Sequence, residues 1–320
     1  MGSKNHDLQE RVQRIVGPLI PEDAHQRVFR AVTEANQMVR EHIRTETGLR
    51  LSSSERRTSV PVRVVEGFPA PLAYLIDEHD DPVLWRLLLI QPKMAGVVEG
   101  LDMVLKDWEG LEGILTLPKA PFTAHDALGY TREVAFQLQK LKLAQDIWKG
   151  IAQIEEDILG TYQQLPGGVN VIEVYWMPVA LISGMLGVTM EDLAVVTLTH
   201  ELGHAYTHLG RDIDGQPWGD DGFWRSDKAV VEGLAQFYTR LVAKKMADKR
   251  PGIRTAFDCL LARQHCVYKG FNDWLPQDKS RAEGVRVAML AARNRSRVDY
   301  GGWLDLLTQT QAHLKPRKQK

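Results

Sequence analysis

The chain has 320 residues, 44% of them hydrophobic and 25% charged, which is enough for a sizeable core in one large or two modest soluble domains. The net charge of −1 gives no global electrostatic case for binding a nucleic acid. The first residues contain no apolar segment of the secretory type, and the most apolar window, 169–190, holds polar residues that make it a poor membrane span. We therefore expect a cytoplasmic protein with neither a membrane nor a nucleic acid partner.

The first third of the chain is predicted to be a long helix followed by a loop and short strands. Apolar residues recur at spacings of three and four from Pro21 to Thr47, and Gly48 suits the end of this helix. Residues 51–59 are polar and are predicted to form a linker or a mobile loop. Apolar or β-branched runs then predict three strands, at residues 59–66, 84–91 and 113–117.

The middle of the chain is predicted to change from helix to strand at a pair of glycines. Residues 123–165 are mostly helix-forming and are predicted to be one long helix or two. The pair Gly167-Gly168 indicates a turn. The run Val169–Trp176 is rich in β-branched and aromatic residues, so it is predicted to be a strand.

The remainder is predicted to be helical around one loop. Residues 190–209 should form a helix that is apolar nearly all round and therefore buried. Residues 210–225 should form a loop, whose four aspartates lack the spacing of an EF-hand and favour a solvated acidic loop over a calcium site. Ser226 can cap the next helix. Cys259 and Cys266, about 10 Å apart along a predicted helix, are too distant for a disulfide. The last helices are predicted at residues 255–269, 279–295 and 302–314.

An H-E-x-x-H pattern lies inside the predicted helix 190–209, at His200, Glu201 and His204. Residues four apart lie one turn apart on the same helix face, so both imidazoles can bind one zinc ion while the glutamate stands beside it as a base. Unpaired polar groups are costly on a buried helix, so these side chains need partners. Core histidines that are satisfied without a metal are the simpler alternative.

A second motif follows, in which Glu232-Gly233-Leu234-Ala235 is succeeded by the aromatic residues Phe237 and Tyr238. Together, the two motifs resemble the gluzincin clan of zinc metallopeptidases, and the resemblance covers roughly residues 190–241. Many members have Trp-Leu shortly before the glutamate, where this chain has Val230 and Val231, so the resemblance indicates the clan and no family within it.

The resemblance implies that His200, His204 and Glu232 bind one Zn²⁺ and that Glu201 is the general base. Periodicity alone leaves Glu232 either facing a cleft or solvated. His208 continues the row of histidines, but it lies about 12 Å along the helix axis from His200, too far for the same ion. It therefore supports the site, contacts the substrate or lies at the surface.

The resemblance also implies an α+β, mainly helical and zincin-like fold. We expect an N-terminal helical segment at residues 1–50, a sheet-bearing lobe at 51–209 that leads into the active-site helix, and a helical lobe at 210–320. In this clan an edge strand pairs with an extended substrate. The predicted strand Val169–Trp176 is either that edge strand or an internal strand without substrate contact.

Internal glycines and polar side chains suggest further features of the site. Glycine inside a helix often marks a close backbone approach, so Gly203 and Gly233 predict helices tightly apposed near the metal. A donor must stabilise the oxyanion of a peptidase reaction. Four side chains are candidates between which the sequence does not choose: Tyr238, His208, Tyr206 and His265.

The sequence favours a zinc-dependent peptidase acting on a peptide or protein, because Glu201 has no purpose in a purely structural metal site. The alternative is a non-catalytic or regulatory binding or sensor protein with a zinc-peptidase-like fold. A helical interaction protein without a metal is a third possibility. The choice between endopeptidase and exopeptidase, the substrate preference and the oligomeric state stay open.

Overall fold

A computed structural model of the protein describes residues 2–51, 60–90, 140, 143–213, 216–274 and 281–314. This part of the chain is mainly helical and has a small three-stranded sheet, which confirms the predicted α+β, mainly helical class. The predictions for residues 52–59, 113–117 and 123–139, and for Asp214, lie outside the described residues.

Among the described residues, the strands lie between positions 62 and 175, and helices precede and follow them. The labelled helices are α1 (Gly2–Val16), α2 (Ala24–Thr47), α3 (Ala70–Glu78), α4 (Trp176–Leu186), α5 (Met190–Leu209), α6 (Asp220–Arg225), α7 (Lys228–Met246), α8 (Pro251–Arg263), α9 (Arg281–Ala292) and α10 (Tyr300–Leu314). Residues 82–90 and 143–153 are also helical, and Gly17–Leu19 and Cys266–Asp273 are 3₁₀-helical. The strands are β1 (Val62–Val65), β2 (Gly160–Leu165) and β3 (Val169–Tyr175).

Helix α2 confirms the predicted N-terminal helix. It begins at Ala24 and ends at Gly48, whose left-handed φ of 69° suits a residue without a side chain. Its apolar stripe, which includes Val28, Val39 and Ile43, is fully buried. The helix packs along α5, so the N-terminal segment forms one wall around the helix that contains the H-E-x-x-H pattern.

The sheet has the order β1-β3-β2, with β1 parallel and β2 antiparallel to β3. Gly167 and Gly168 form the turn between β2 and β3 with φ values of 94° and 77°, as predicted. The predicted strands at 59–66 and 169–176 are confirmed as β1 and β3. Because β3 is paired on both sides, the internal strand is the correct one of the two alternatives, and β3 is not the edge strand.

Two predictions based on apolar runs are wrong. Residues 82–90 are helical instead of forming a strand, because Leu84, Trp85 and Leu88 are buried with the spacing of a helix face. The end of the predicted helix 123–165 is β2. A Cβ atom on Gly160 would lie 2.7 Å from Thr197 Cγ2 and 3.0 Å from the backbone oxygen of Glu173, so the glycine allows β2 to lie against both α5 and β3.

The predicted C-terminal helices are confirmed with shifted ends. The helix predicted at 255–269 is α8, which ends at Arg263 and is followed by the 3₁₀ segment. Both cysteines are free, as predicted. The predicted loop 210–225 contains the short helix α6 at its end. Helices α9 and α10 correspond to the predictions at 279–295 and 302–314.

Helix α5 is buried along almost its whole length and is fixed at both ends. At its start, the Thr189 hydroxyl accepts a hydrogen bond from the backbone N–H of Asp192 at 3.2 Å. At its end, the buried Arg293 guanidinium donates to the backbone oxygens of Tyr206, Thr207 and Gly210. The Thr189 hydrogen bond satisfies a backbone N–H group at the start of the helix, and the Arg293 hydrogen bonds satisfy backbone carbonyl groups at its end. Helix α5 therefore holds its side chains in a rigid position.

One hydrophobic core includes residues from all three segments predicted from the sequence, 1–50, 51–209 and 210–320. The boundaries between these segments stay a prediction. Among the described residues, no single helix is both long and apolar enough to cross a membrane. Helices α4 and α5 meet that test only as a pair and are bent by 119° relative to each other.

Candidate metal centre

Three side chains that the sequence predicts as ligands converge at the centre of the molecule. His200 and His204 project from α5, and Glu232 projects from α7. The Nε2 atoms of the histidines are 3.1 Å apart, and they lie 3.1 Å and 3.2 Å from Oε2 of Glu232. In a tetrahedral zinc site, ligand atoms about 2.0 to 2.1 Å from the metal are about 3.3 Å from one another. The triangle of donor atoms therefore has the size that one metal ion requires.

A fourth side chain, Asp157, was missed by the sequence analysis. Its Oδ1 atom lies 3.6 Å from His200 Nε2, and the four donor atoms all lie within 4.8 Å of one another. Asp157 belongs to the irregular segment 154–159 between helical residues 143–153 and β2. The sequence analysis placed this segment inside a helix, and the segment has no motif that would have indicated a ligand.

The charges around the centre suit a cation. Asp157, Glu201 and Glu232 bring three carboxylates together, and within the described part of the chain no Lys or Arg forms an ion pair with them. Carboxylates held close together in a largely buried site are unfavourable unless cations neutralise them. Two imidazoles and two carboxylates are ligands for Zn²⁺ and for other divalent transition metals. The residues present therefore fit a bound metal ion.

Burial and the neighbouring charges shift the pKa values of these groups. Burial alone would raise the pKa of Glu232, but the His204 and His200 imidazoles outweigh it and hold that pKa well below its usual range. For Glu201, burial and then the charge of Asp157 raise the pKa well above its usual range. The two glutamates therefore differ in their environment, as expected of a ligand and a group that exchanges a proton.

Glu201 lies beside the donor atoms and is 1% exposed. The backbone N–H of Tyr162 in β2 faces its carboxylate and favours the charged form, while Oε2 has no hydrogen-bond partner among the described residues. A Cβ atom on Gly160 would lie 3.0 Å from Glu201 Cγ, so the close approach of β2 keeps this side chain in place. One oxygen of a buried carboxylate is thus left for a partner that the described residues do not supply.

A cavity of about 60 Å³ opens beside His200 and Glu201. This volume corresponds to about two water molecules. Asp157 and Tyr268 also line the cavity, and much of the remaining lining is apolar, with Ile151, Ile158, Val196 and Leu260 among its residues. The cavity therefore brings a small volume of solvent next to the predicted base and the predicted ligands.

The four predicted oxyanion donors form contacts elsewhere, and none of them lines this cavity. The Tyr238 hydroxyl faces Met289 Sδ at 3.7 Å, and the Tyr206 hydroxyl donates to the backbone oxygen of Arg40 at 3.2 Å. His265 accepts a hydrogen bond from the backbone N–H of Val267 at the start of the 3₁₀ segment.

Tyr268 lines the cavity instead, although the sequence analysis did not consider it. Its ring centroid is 6.0 Å from that of His200, and its hydroxyl donates to Asp157 Oδ1 at 2.9 Å. The sequence places Tyr268 in a predicted helix. Because the chain leaves that helix after Arg263 and continues as a 3₁₀ segment, the tyrosine reaches the metal centre.

His208 supports the centre from one side. It is fully buried, with Nδ1 2.8 Å from the Tyr162 hydroxyl and Nε2 2.9 Å from Asp220 Oδ1. Phe223 stacks on its ring with centroids 4.3 Å apart. Burial lowers the pKa of His208 to about 4, against the opposing charge of Asp220. His208 is therefore a neutral packing partner of Tyr162, whose ring in turn lies parallel to that of His204.

Comparisons with protein-family models, with curated proteins and with solved structures found no match for this chain. The function proposed below therefore depends on the geometry of this centre.

Proposed function

We propose that the protein is a zinc-dependent peptidase of the gluzincin type, in which His200, His204 and Glu232 bind Zn²⁺ and Glu201 is the general base. One observation carries the proposal: Glu201 is buried beside the donor atoms, and one of its carboxylate oxygens has no hydrogen-bond partner among the described residues. A metal site that only stabilised the fold would gain nothing from a further buried carboxylate, which is costly to desolvate.

When bound, zinc supplies a Lewis acid for the scissile carbonyl and lowers the pKa of a water molecule. Glu201 accepts a proton from the attacking water as the new carbon–oxygen bond forms, and it returns that proton to the leaving amine as the carbon–nitrogen bond breaks. The close approach of β2 at Gly160 keeps the carboxylate in place for both transfers. The Tyr268 hydroxyl is the donor best placed to stabilise the oxyanion, because it lines the cavity beside His200.

The edge of the sheet beside Glu201 favours an extended peptide as the substrate. Strand β2 pairs with β3 on one side only, within the residues that the structure describes, and it lies directly against Glu201 and α5. Main-chain groups on a free strand edge can add a peptide as a further strand. We therefore assign to β2 the role that the sequence analysis considered for β3.

A second candidate function is a non-catalytic metal-binding or sensor protein, and Asp157 is the observation that favours it. Structural zinc sites have four protein ligands, whereas catalytic sites keep one position open. Four protein donor atoms lie within 4.8 Å of one another here. A permanently closed centre would leave no position for a water molecule or a substrate.

Cleavage of a mixed peptide library, followed by mass spectrometry, tests the first function. Zinc-loaded protein should cleave peptides, and Glu201→Gln should bind the same amount of zinc without cleaving, because the ligands stay and only the proton carrier is lost. Cleavage that persists in Glu201→Gln would contradict the mechanism. A failure of both the wild-type protein and Asp157→Asn to cleave any peptide would favour the second function.

A further inference from the structure

Asp157 differs from the other three donors in how it is held. His200, His204 and Glu232 lie on the buried helices α5 and α7, and their side chains are at most 11% exposed. Asp157 lies on an irregular segment, and its side chain is 23% exposed. It is therefore the one carboxylate among the four donors that can reach solvent without a helix moving.

The segment 154–159 is fixed mainly at its ends. The backbone N–H of Ile154 donates to Ile151 at 3.2 Å, and the Leu159 oxygen accepts a hydrogen bond from Tyr175 at 2.9 Å. Between these two bonds, the Glu155 backbone oxygen and Asp157 Oδ1 both accept from the Tyr268 hydroxyl at 2.9 Å. The Tyr268 hydroxyl thus holds the middle of the segment against the metal centre, together with the ion pair of Glu155 and His265 at 3.8 Å and the packing of Ile158 against the core.

The hydrogen bond between Tyr268 and Asp157 engages both the tyrosine hydroxyl and the aspartate carboxylate. A tyrosine hydroxyl has one proton, so while it is shared between Glu155 and Asp157 it cannot also be donated to an oxyanion. At the same time, Asp157 Oδ1 lies 3.6 Å from His200 Nε2 and within 4.8 Å of the other donor atoms, close enough to serve as a fourth ligand of an ion held by the other three. The same carboxylate therefore offers a fourth metal ligand and accepts the hydrogen bond of the Tyr268 hydroxyl.

We propose that Asp157 is a displaceable fourth ligand that closes the metal centre in the resting protein, so that the centre opens only when the segment 154–159 moves outward. This inference rests on the proposed peptidase function for its purpose, but the closure itself does not depend on that activity. On opening, the Asp157 carboxylate moves into solvent. The fourth metal position and the Tyr268 hydroxyl then become available to a substrate together.

Binding of acetohydroxamate to cobalt-substituted protein tests the closure, because the visible absorption of Co²⁺ reports its coordination without any turnover. A ligand that must displace Asp157 binds with an affinity reduced by the fraction of open protein. Asp157→Asn and Asp157→Ala should therefore bind acetohydroxamate at least about 10-fold more tightly than the wild type. They should also hold Zn²⁺ about 10- to 100-fold more weakly in a chelator competition.

Asp258→Asn is the matched control, because it makes the same substitution at an exposed aspartate on α8 that does not line the cavity. This variant should change neither the affinity for acetohydroxamate, nor the affinity for Zn²⁺, nor the cobalt spectrum. Tyr268→Phe removes the hydroxyl that holds the segment and should strengthen acetohydroxamate binding in the same direction as Asp157→Asn. Circular dichroism and thermal unfolding check that each variant is folded.

Unchanged or weaker acetohydroxamate binding in both folded Asp157 variants would overturn the closure, whether or not the protein is a peptidase. Tighter binding and an altered cobalt spectrum would support it. If the binding is tighter but no variant cleaves any peptide, the closure stands and the peptidase function fails. If the wild type cleaves peptides and the Asp157 variants lose both cleavage and acetohydroxamate affinity, the peptidase function stands and the closure fails.

Discussion

A Cβ atom on Gly203 would lie 3.1 Å from the Cα atom of Ala235 and 3.3 Å from its backbone oxygen. Helices α5 and α7 therefore touch backbone to backbone, next to His204 on one helix and three residues after Glu232 on the other. This contact sets the distance between the histidines and the glutamate. The sequence analysis expected such a role for Gly233 as well, but that glycine faces the Trp274 indole instead of α5.

Gly203→Ala should destabilise the protein and weaken metal binding. Overpacking a well-packed contact costs about 1 to 3 kcal/mol, more than the gain of up to about 1 kcal/mol from alanine in a helix. The added methyl group should also push α7 away from α5, and hence Glu232 away from the histidines. Urea unfolding of the metal-free protein and a zinc competition assay measure the two effects.

Gly284→Ala is the control for this substitution. Gly284 lies inside α9, and a Cβ atom there would have nothing within 4 Å. We expect alanine to stabilise the protein by up to about 1 kcal/mol at this site and to leave zinc affinity unchanged. A Gly203→Ala protein that matched the Gly284→Ala protein in both measurements would refute the close-contact explanation.

Glu232→Ala should weaken zinc binding by at least the roughly 10- to 100-fold typical of losing even a supporting partner of a ligand. The reason is that it removes a donor atom 3.1 Å and 3.2 Å from the two histidine nitrogens. Competition with a chromophoric chelator measures the affinity. Asp212→Ala and Asp221→Ala are controls, because both remove a carboxylate from the acidic stretch before α7. Equal losses in all three variants would show that net charge, and not ligation, determines the affinity.

Three of the four donors could be predicted from the sequence, and the fourth could not, for a physical reason. His200 and His204 are one helical turn apart, so their geometry follows from their spacing alone. Glu232 could be predicted as a ligand only from the resemblance to the gluzincins, because its position on a helix did not decide between a buried and a solvated side chain. Asp157 lies on an irregular segment, and only the packing of that segment against Tyr268 brings it to the centre.

The errors in secondary structure have a similar origin. The run at 84–91 is apolar enough for either a strand or a helix, and tertiary packing decided for the helix. Strand β2 contains Gln163 and Gln164, which have no strong preference for a strand, and it exists because β3 pairs with it. The helical elements with a clear apolar stripe, such as α2, were predicted nearly to their ends.

Cys259 and Cys266 should both react with a thiol reagent in the denatured, unreduced protein. Cys259 lies on α8 and Cys266 begins the 3₁₀ segment, and the structure has both as free thiols. Two thiols per chain in a colorimetric titration are expected. A mass of the unreduced protein lower by two protons, together with no reaction, would instead mean that the two are bonded.

Because of His208, the metal-free protein should be less stable in mild acid than at neutral pH. Its pKa of about 4 lies below the ordinary value of 6.5, so between these two pH values the unfolded chain binds more protons than the folded one. Stability due to His208 is thus fully present above the ordinary pKa and is lost as the pH falls towards the folded pKa. From about pH 7 to about pH 5 the loss should be about 2 kcal/mol. Urea unfolding at both pH values measures this loss of stability.

His208→Gln should remove this part of the pH dependence, although it also lowers stability at about pH 7 by disturbing the contacts with Tyr162 and Phe223. His313→Gln, which replaces an exposed histidine on α10, should unfold like the wild type at both pH values. If His208→Gln loses as much stability as the wild type over this range, other groups cause the acid sensitivity and His208 does not remain neutral through burial.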